Sequence, residues 1–210
     1  MTDNEQKINY QKILDKTIDN LQMCNKKPSL LLHSCCAPCS SYVLEYLSKH
    51  FDITVYYYNP NIYPESEFEK RAAEQTRLVK QMQLFANVIV CSFNSNEFYA
   101  AVKGLENEKE GGARCIECFK LRLEKSAQYA AANNFDYYTT TLTISPLKNA
   151  RAINDIGMYF AQKYNIKWLL SDFKKREGFK RSTQLSLQYG LYRQNYCGCV
   201  FSKNTDKTGD

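Results

Sequence analysis

The sequence contains no apolar run long enough to cross a membrane and no N-terminal secretory signal. Its apolar stretches stay well below the roughly 18 residues that a transmembrane helix needs. The opening segment, MTDNEQKINYQK, is polar and includes acidic side chains, unlike a signal peptide. We therefore expect a protein of the cytoplasm that has no membrane partner.

Internal repeats and low-complexity tracts are also absent, and 44% of the residues are hydrophobic, which argues against a disordered chain. The length of 210 residues suits one domain with small extensions. We expect a helical extension at 1–28, a single α/β domain that carries the activity at 29–202 and a polar tail at 203–210. The formal charge of +6 is compatible with an anionic partner such as RNA, but charge alone identifies no function.

Short apolar segments alternate with segments of helical periodicity along the chain. Strands are predicted at 30–33, 53–60, 87–93, 136–144 and 167–171. Helices are predicted at 40–51, 64–83, 95–103, 115–134, 149–165 and 183–190. The alternation favours an α/β fold with an open, mostly parallel five-stranded Rossmann-like sheet of the adenine nucleotide alpha hydrolase-like type, with helices on both faces. Ligands bind such sheets at the carboxyl ends of the strands.

Cysteine is abundant, and the count of nine is odd, which does not suit a fully paired disulfide framework. In a reducing compartment, clustered cysteines indicate a metal-binding or redox-active site. Cys91 ends a predicted strand and is expected in the core, and Cys24 is expected to have no role. The other seven fall into three groups, which are Cys35, Cys36 and Cys39 in C-C-x-x-C, Cys115 and Cys118 in C-x-x-C, and Cys197 and Cys199 in C-x-C.

Each group has its own chemistry. The first, CCAPCS, follows a strand and precedes a helix, whose positive N-terminal end favours thiolates and anionic clusters. The C-x-x-C spacing places two sulfurs on one side of a helical turn, an arrangement common to zinc and iron–sulfur sites. The C-x-C pair can form a strained, labile disulfide or supply two metal ligands. Structural zinc is the plainest alternative for the whole set.

Polar, basic and aromatic side chains lie near these motifs, and such residues suit phosphate contacts and base stacking. For the basic residues at 174–181, an ordinary solvated surface is the alternative. His33, within the first strand, is instead expected to be a hydrogen-bonded core group. We predict substrate or RNA contacts at Asn59, Tyr63, Arg71, Arg114, Lys148, Lys174, Lys175, Arg176, Arg181, Tyr192 and Arg193.

Six motifs follow one another along the chain, namely CCAPCS, YNPNIYP, GGARCIECFKLRL, SPLKN, DFKKREGFKRS and YGLYRQNYCGCVFS. Together they resemble the cobalamin-independent epoxyqueuosine reductases, and the likeness extends from about residue 29 to residue 202. Enzymes of this family reduce epoxyqueuosine to queuosine at the wobble position of tRNA. They remove the epoxide oxygen in a two-electron reaction, so the resemblance implies an oxidoreductase.

The resemblance also implies a cofactor and roles for the cysteines. Cys35, Cys36, Cys115 and Cys118 would bind a 4Fe-4S cluster. Some family members hold an extra iron beside the cluster, and Cys39 is our candidate ligand for it. The implied partners are tRNA with a queuosine-family anticodon and an electron donor that stays unidentified. The residues to which the resemblance assigns catalysis are Cys39 and the redox pair formed by Cys197 and Cys199.

Two other classes of protein compete with this interpretation. Adenylating tRNA thiolases, some of which use iron–sulfur clusters, need a glycine-rich pyrophosphate loop after the first strand. In this chain that position holds CCAPCS, which has no glycine. A non-catalytic RNA-binding module stabilised by zinc would need only four thiolates, which leaves three of the clustered cysteines unexplained.

Overall fold

Five parallel strands form the centre of the molecule. The computed structural model describes residues 8–203, and its strands are β1 (Ser29–His33), β2 (Asp52–Tyr57), β3 (Asn87–Val90), β4 (Tyr137–Thr140) and β5 (Lys167–Trp168). Their order across the sheet is β3-β2-β1-β4-β5, so the first strand lies in the middle. Leu30 of β1 pairs with Ile53 of β2 on one side and with Tyr137 of β4 on the other. The predicted open parallel sheet is confirmed.

Helices follow the strands in alternation, as a parallel sheet with crossover connections requires. No described helix is long and apolar enough to cross a membrane. A single 3-10 turn in the described chain, Thr141–Ile144, follows β4. The α-helices are α1 (Tyr10–Met23), α2 (Ala37–Leu47), α3 (Glu65–Gln81), α4 (Ser95–Ala101), α5 (Ala113–Ala132), α6 (Ala150–Tyr164), α7 (Gly178–Gln188) and α8 (Val200–Lys203).

The side chains of β1 alternate between two helical layers, as the period of a strand dictates. Leu30 and Leu32 pack into a core formed with α1, α2 and α3. Leu31 points to the opposite core, formed with α5 and α6. The predicted placement of helices on both faces is therefore confirmed. The helix predicted in the extension 1–28 packs on the first core through Leu14 and Ile18, whereas residues 1–7 and 204–210 lie outside the described residues.

Several predicted boundaries differ from the structure near the carboxyl edge of the sheet. The strands predicted to end at 60, 93 and 171 end earlier, at Tyr57, Val90 and Trp168. β4 ends at Thr140, four residues before the predicted end, because the Thr140 hydroxyl accepts from the backbone N–H of Leu142 and starts the 3-10 turn. α2 begins at Ala37, since Pro38 is well tolerated in a first helical turn. α7 begins at Gly178, before the start of the helix predicted at 183–190.

Candidate active site

The C-C-x-x-C group lies where β1 turns into α2. Cys36 is the N-cap of α2 and has an extended backbone, and Cys39 falls within the first turn of the helix. The Sγ atoms of Cys35, Cys36 and Cys39 all lie within 4.8 Å of one another, and those of Cys35 and Cys36 are 3.9 Å apart. Three soft ligand atoms therefore converge at the positive end of a helix.

Hydrogen bonds among the three thiols shift their pKa values in opposite directions. The bond with Cys36, followed by that with Cys39, lowers the pKa of Cys35 well below its usual range. The same bonds to Cys35 are the largest cause that raises the pKa of Cys36 and of Cys39. Loss of a proton is therefore favoured at Cys35 over Cys36 and Cys39.

Buried polar side chains support this loop from behind. The Ser34 and Ser40 hydroxyls both donate to Oε1 of Gln75 in α3, at 2.8 and 2.7 Å. His33 accepts from the Thr140 hydroxyl at Nδ1, at 2.8 Å, and donates from Nε2 to a backbone carbonyl. Burial lowers the pKa of His33 to about 3, so the imidazole is neutral, and its prediction as a bonded core group is confirmed.

The C-x-x-C group opens α5. The N-cap is Gly112, and the backbone N–H of Gly111 donates to Cys115 Sγ at 3.2 Å. A Cβ at Gly112 would lie 3.1 Å from the carbonyl oxygen of Lys109, so the loop before the helix closes tightly on itself. Burial raises the pKa of Cys118, which is 7% exposed.

The C-x-C group is held by contacts from distant parts of the sequence. Gly198 has φ +128°, and a Cβ there would lie 3.1 Å from both Arg71 Nη1 and a side-chain carbon of Ile62. Arg71 Nη1 donates to the Cys197 carbonyl at 3.3 Å, and the Tyr63 N–H donates to the Gly198 carbonyl at 2.8 Å. Glycine is therefore required between the two cysteines, both by its backbone conformation and by the close approach.

Two adjoining cavities bring the three groups together. The smaller has a volume of about 60 Å³ and the larger about 290 Å³. Lys148 and Cys197 line both cavities. The smaller is also lined by Cys115, Cys118, Cys199 and Arg122, and the larger by Cys35, Cys39, Arg193 and Gln194. The Sγ atoms of Cys115 and Cys118 do not join the tight group of three in the described chain.

Two cations face these thiols. Burial lowers the pKa of Lys148, but Cys197, Cys35 and Cys39 raise it, and the net shift is upward. The same balance holds for Arg122, where burial opposes the thiols of Cys118, Cys197 and Cys35. Lys148 was predicted from the sequence. Arg122 was missed, although its position four residues after Cys118 places it on the same face of a helix.

Two of the predicted substrate or RNA contacts are buried arginines. Arg71 is 1% exposed, and its Nε donates to Glu67 at 2.7 Å. Arg114 is 3% exposed, and its Nη1 donates to the carbonyl oxygens of Glu106 and Glu108. Each guanidinium holds a loop beside the thiols, and Arg114 also lines the smaller cavity, so contact with the substrate stays a prediction for both. A spacing in the sequence does not reveal whether an arginine is buried.

The predicted residues after β2 divide between the interior and the surface. Asn59 is 1% exposed and donates to the Ser34 carbonyl at 2.8 Å, while its own Oδ1 has no hydrogen-bond partner. Tyr63 is 45% exposed, and its carbonyl accepts from the Tyr196 hydroxyl. Asn61, on the same loop, lines the smaller cavity, and its buried Oδ1 also lacks a partner.

Most of the predicted basic and aromatic contacts near the surface already have acidic partners. Tyr192 donates to Glu67 and lies under the ammonium of Lys70. Lys175 and Arg193 are exposed, and Arg193 also lines the larger cavity. The ion pairs are Lys174 with Asp172 at 2.7 Å, Arg176 with Asp15 at 2.6 Å, and Arg181 with Glu45.

The fold and the site together define a class, an α/β protein with a thiol-lined pocket at the carboxyl end of a parallel sheet. A protein-family model described as epoxyqueuosine reductase QueH matches residues 30–205. The chain therefore belongs to the epoxyqueuosine reductase QueH family, as the resemblance of its motifs predicted.

Curated relatives with the same name cover most of the chain. The epoxyqueuosine reductase QueH of Staphylococcus epidermidis is 44% identical over 203 residues, which are 94% of this chain and 85% of that protein. The protein of the same name from Streptococcus pyogenes serotype M1 is 44% identical over 201 residues, covering 94% and 79%. That of Thermotoga maritima is 37% identical over 180 residues, covering 83% and 90%.

Solved structures of similar fold include one of a tRNA thiolase. It is the U34-tRNA thiolase NcsA from Methanococcus maripaludis, solved with its 4Fe-4S cluster. The TM-score is 0.50 at 12% sequence identity, over 94% of this chain and 71% of that one. At this identity the likeness shows the fold alone, and it agrees with the α/β sheet predicted from the sequence.

Proposed function

We propose that this chain reduces the epoxide of epoxyqueuosine in tRNA to the alkene of queuosine. The observation that carries the proposal is the pocket where the C-x-C pair meets the other two cysteine groups, in a chain of this family. The reaction takes up two electrons and two protons and releases the epoxide oxygen as water. The protein is thus an oxidoreductase, and its proposed place is the cytoplasm, where tRNA is modified.

The Cys197–Cys199 pair supplies the electrons and protons in this proposal. Two thiols that form one disulfide bond release two electrons and two protons, which balances the conversion of epoxide to alkene and water. An external reductant of unidentified nature must then restore the thiols. Cys199 is buried and Cys197 lines both cavities, so Cys197 is the thiol that faces a bound nucleoside.

The donor set fits a 4Fe-4S cluster held by Cys35, Cys36, Cys115 and Cys118. Cysteine thiolates are the usual ligands of such clusters. The buried guanidinium of Arg122 faces these thiols with one nitrogen unpartnered, which suits an anionic group between them. A bound cluster would supply one-electron transfer, and no cobalamin is needed in this scheme.

Cys39 is proposed as a ligand of an additional iron. Its Sγ lies within 4.8 Å of those of Cys35 and Cys36, and it also lines the larger cavity. An iron at that position would act as a Lewis acid towards the epoxide oxygen. Lys148, which lines both cavities, would hold an anionic or developing negative oxygen in place.

Contacts with tRNA are proposed at the exposed cations and aromatic groups around the larger cavity. Lys175, Arg193 and Tyr63 are exposed there or nearby and suit phosphate contacts and base stacking. Lys174, Arg176 and Arg181 would first have to exchange their acidic partners for phosphate, so they are expected to contribute less.

The thiolase interpretation has one observation in its favour, the similar fold of NcsA. It would require a pyrophosphate site after β1, where the chain instead has Cys36 as the N-cap of α2 and Pro38 in the first turn. Proline has no backbone N–H to donate to a phosphate, and no glycine opens the turn. The reductase interpretation therefore accounts for more of the site.

The test combines metal analysis with turnover. Protein purified without oxygen is assayed for iron, zinc and acid-labile sulfide, and then incubated with epoxyqueuosine tRNA and dithionite. Roughly four or five irons, four sulfides and a queuosine product are expected. One zinc, no sulfide and no product would instead indicate the zinc-stabilised module, and thiolated tRNA formed with ATP would indicate the thiolase.

A further inference from the structure

Arg122 and Arg71 are the two buried arginines with 1% exposure, but their surroundings differ. Arg71 donates to the carboxylate of Glu67 at 2.7 Å. Among residues 8–203, no carboxylate lies within 4.0 Å of the Arg122 guanidinium. A buried charge without a counter-ion is strongly unfavourable, so Arg122 needs an anionic partner of another kind.

The neighbours of Arg122 identify that partner as sulfur. Its Nε donates to the carbonyl of Cys118 at 3.2 Å, which fixes the guanidinium against the first turns of α5. Its Nη2 atom is buried and unpartnered, and the side chain lines the smaller cavity together with Cys118 and Cys197. Cys115 and Cys199 line the same cavity, so four cysteine side chains share it with the guanidinium.

We propose that Arg122 is a positioning residue that serves as the permanent counter-cation of the sulfur centre. The inference rests on the proposed function, because it takes the centre to be a thiolate-bound cluster. Such a cluster is anionic, and its negative charge grows by one on reduction. A fixed positive charge in a water-poor cavity stabilises the reduced form more than the oxidised form, and thereby raises the reduction potential.

Three variants separate charge from structure. Arg122→Met removes the charge and keeps an unbranched side chain, and Arg122→Lys keeps the charge. The matched control is Lys120→Met on the same helix, which removes an exposed cation whose partner is Glu117. All three are purified without oxygen, and iron and sulfide are measured before any other property.

The decisive readout is the midpoint potential from a redox titration followed by electron paramagnetic resonance. In Arg122→Met we expect the equilibrium constant for one-electron reduction to fall at least tenfold, which is about 59 mV towards more negative potential. Arg122→Lys should stay closer to the wild type, and Lys120→Met should match it. A potential that is unchanged in Arg122→Met would overturn the inference.

The metal-free protein provides the second readout. Without the anionic centre, the guanidinium is a buried charge without a partner, so Arg122→Met should keep or raise the thermal midpoint of the apoprotein. With cluster, the same variant should lose iron to a chelator faster than Lys120→Met does. An apoprotein that Arg122→Met unfolds would contradict the inference, because it would show that the guanidinium supports the fold.

The two hypotheses fail in different ways. A wild-type protein without iron and sulfide overturns the proposed cofactor, and the inference with it. A wild-type protein with a full cluster, whose Arg122→Met variant has the same potential and the same iron retention, overturns the inference alone. A folded Arg122→Met that takes up less iron and sulfide than Lys120→Met supports it.

Discussion

The C-C-x-x-C loop and the C-x-C segment face the same pocket but are held in different ways. Cys35, Cys36 and Cys39 lie within a single strand-to-helix turn, whose geometry is set by neighbours in the sequence. Cys197 and Cys199 depend on Arg71 and the loop before α3, more than a hundred residues earlier in the chain. The proposed cluster ligands of the first region are thus positioned by local structure, whereas the proposed redox pair is positioned by contacts between distant parts of the chain.

The largest expected difference between the two regions is that a change in the first removes the cofactor, whereas a change in the second removes turnover alone. Cys36→Ser should abolish both the iron–sulfur absorbance and the formation of queuosine, because it removes a proposed ligand. Cys197→Ser should keep the absorbance and abolish turnover, because it removes half of the dithiol. Cys24→Ser, at an exposed cysteine remote from the pocket, serves as the control for both measurements. Loss of iron in Cys197→Ser would assign the C-x-C pair to metal binding.

A methyl group at Gly198 should disturb only the second region. Gly198→Ala combines a positive φ with a close approach to Arg71, and strain of this kind costs about 1–3 kcal/mol. We expect turnover to fall roughly tenfold or more while iron content stays constant. Gly190→Ala is the matched control, since Gly190 also has a positive φ but no atom within 4 Å of the added carbon. Equal turnover in the two variants would contradict the proposed close fit.

The hydrogen bonds that support the C-C-x-x-C loop should contribute to the free energy of unfolding. Gln75→Leu leaves the buried hydroxyls of Ser34 and Ser40 without their shared acceptor, which should lower the free energy of unfolding by about 1–3 kcal/mol. The measurement is denaturant unfolding of the apoprotein. Gln81→Leu, at an exposed position of the same helix, should change it by less than about 0.5 kcal/mol. A similar change in both variants would mean that the network does not stabilise the loop.

The smallest effects are expected where tRNA would meet the rim of the pocket. Lys175→Ala and Arg193→Ala should each weaken tRNA binding and lower the slope of log K against log salt by about one. Arg176→Ala should have a smaller effect, because Arg176 is paired with Asp15. Titration of labelled tRNA at several salt concentrations measures all three. An unchanged slope in the first two variants would place the tRNA elsewhere on the surface.

The contrast between local contacts and contacts of distant residues also explains how much could be predicted from the sequence. Short apolar segments and helical periodicity predicted the five strands and the helices, because both depend on local hydrophobicity. The alternation of strands and helices then predicted the parallel arrangement with helices on both faces. The cysteine loop was also visible, since its residues are adjacent. The end of β4 was missed because a single hydroxyl, that of Thr140, redirects the backbone after it.

Contacts between distant residues could not be predicted from one sequence. Arg71 and Arg114 have the composition of an RNA-binding surface, but tertiary packing buries them against a carboxylate or against loop carbonyls. Arg122 carries only a weak local signal, its place one helical turn after Cys118. Gln75 carries none, because its partners Ser34 and Ser40 belong to another element.

Cys197 lines both cavities, so a change in the bonding of its sulfur would alter a wall of each. Thermodynamic linkage makes this influence reciprocal. Suppose that a bound nucleoside shifts the equilibrium between the proposed dithiol and disulfide by some factor. Conversion of the dithiol to the disulfide then changes the affinity for the nucleoside by the same factor. An enzyme whose product binds less tightly to the oxidised pair would therefore release the product as a consequence of its own turnover, and re-reduction would restore affinity for the next tRNA.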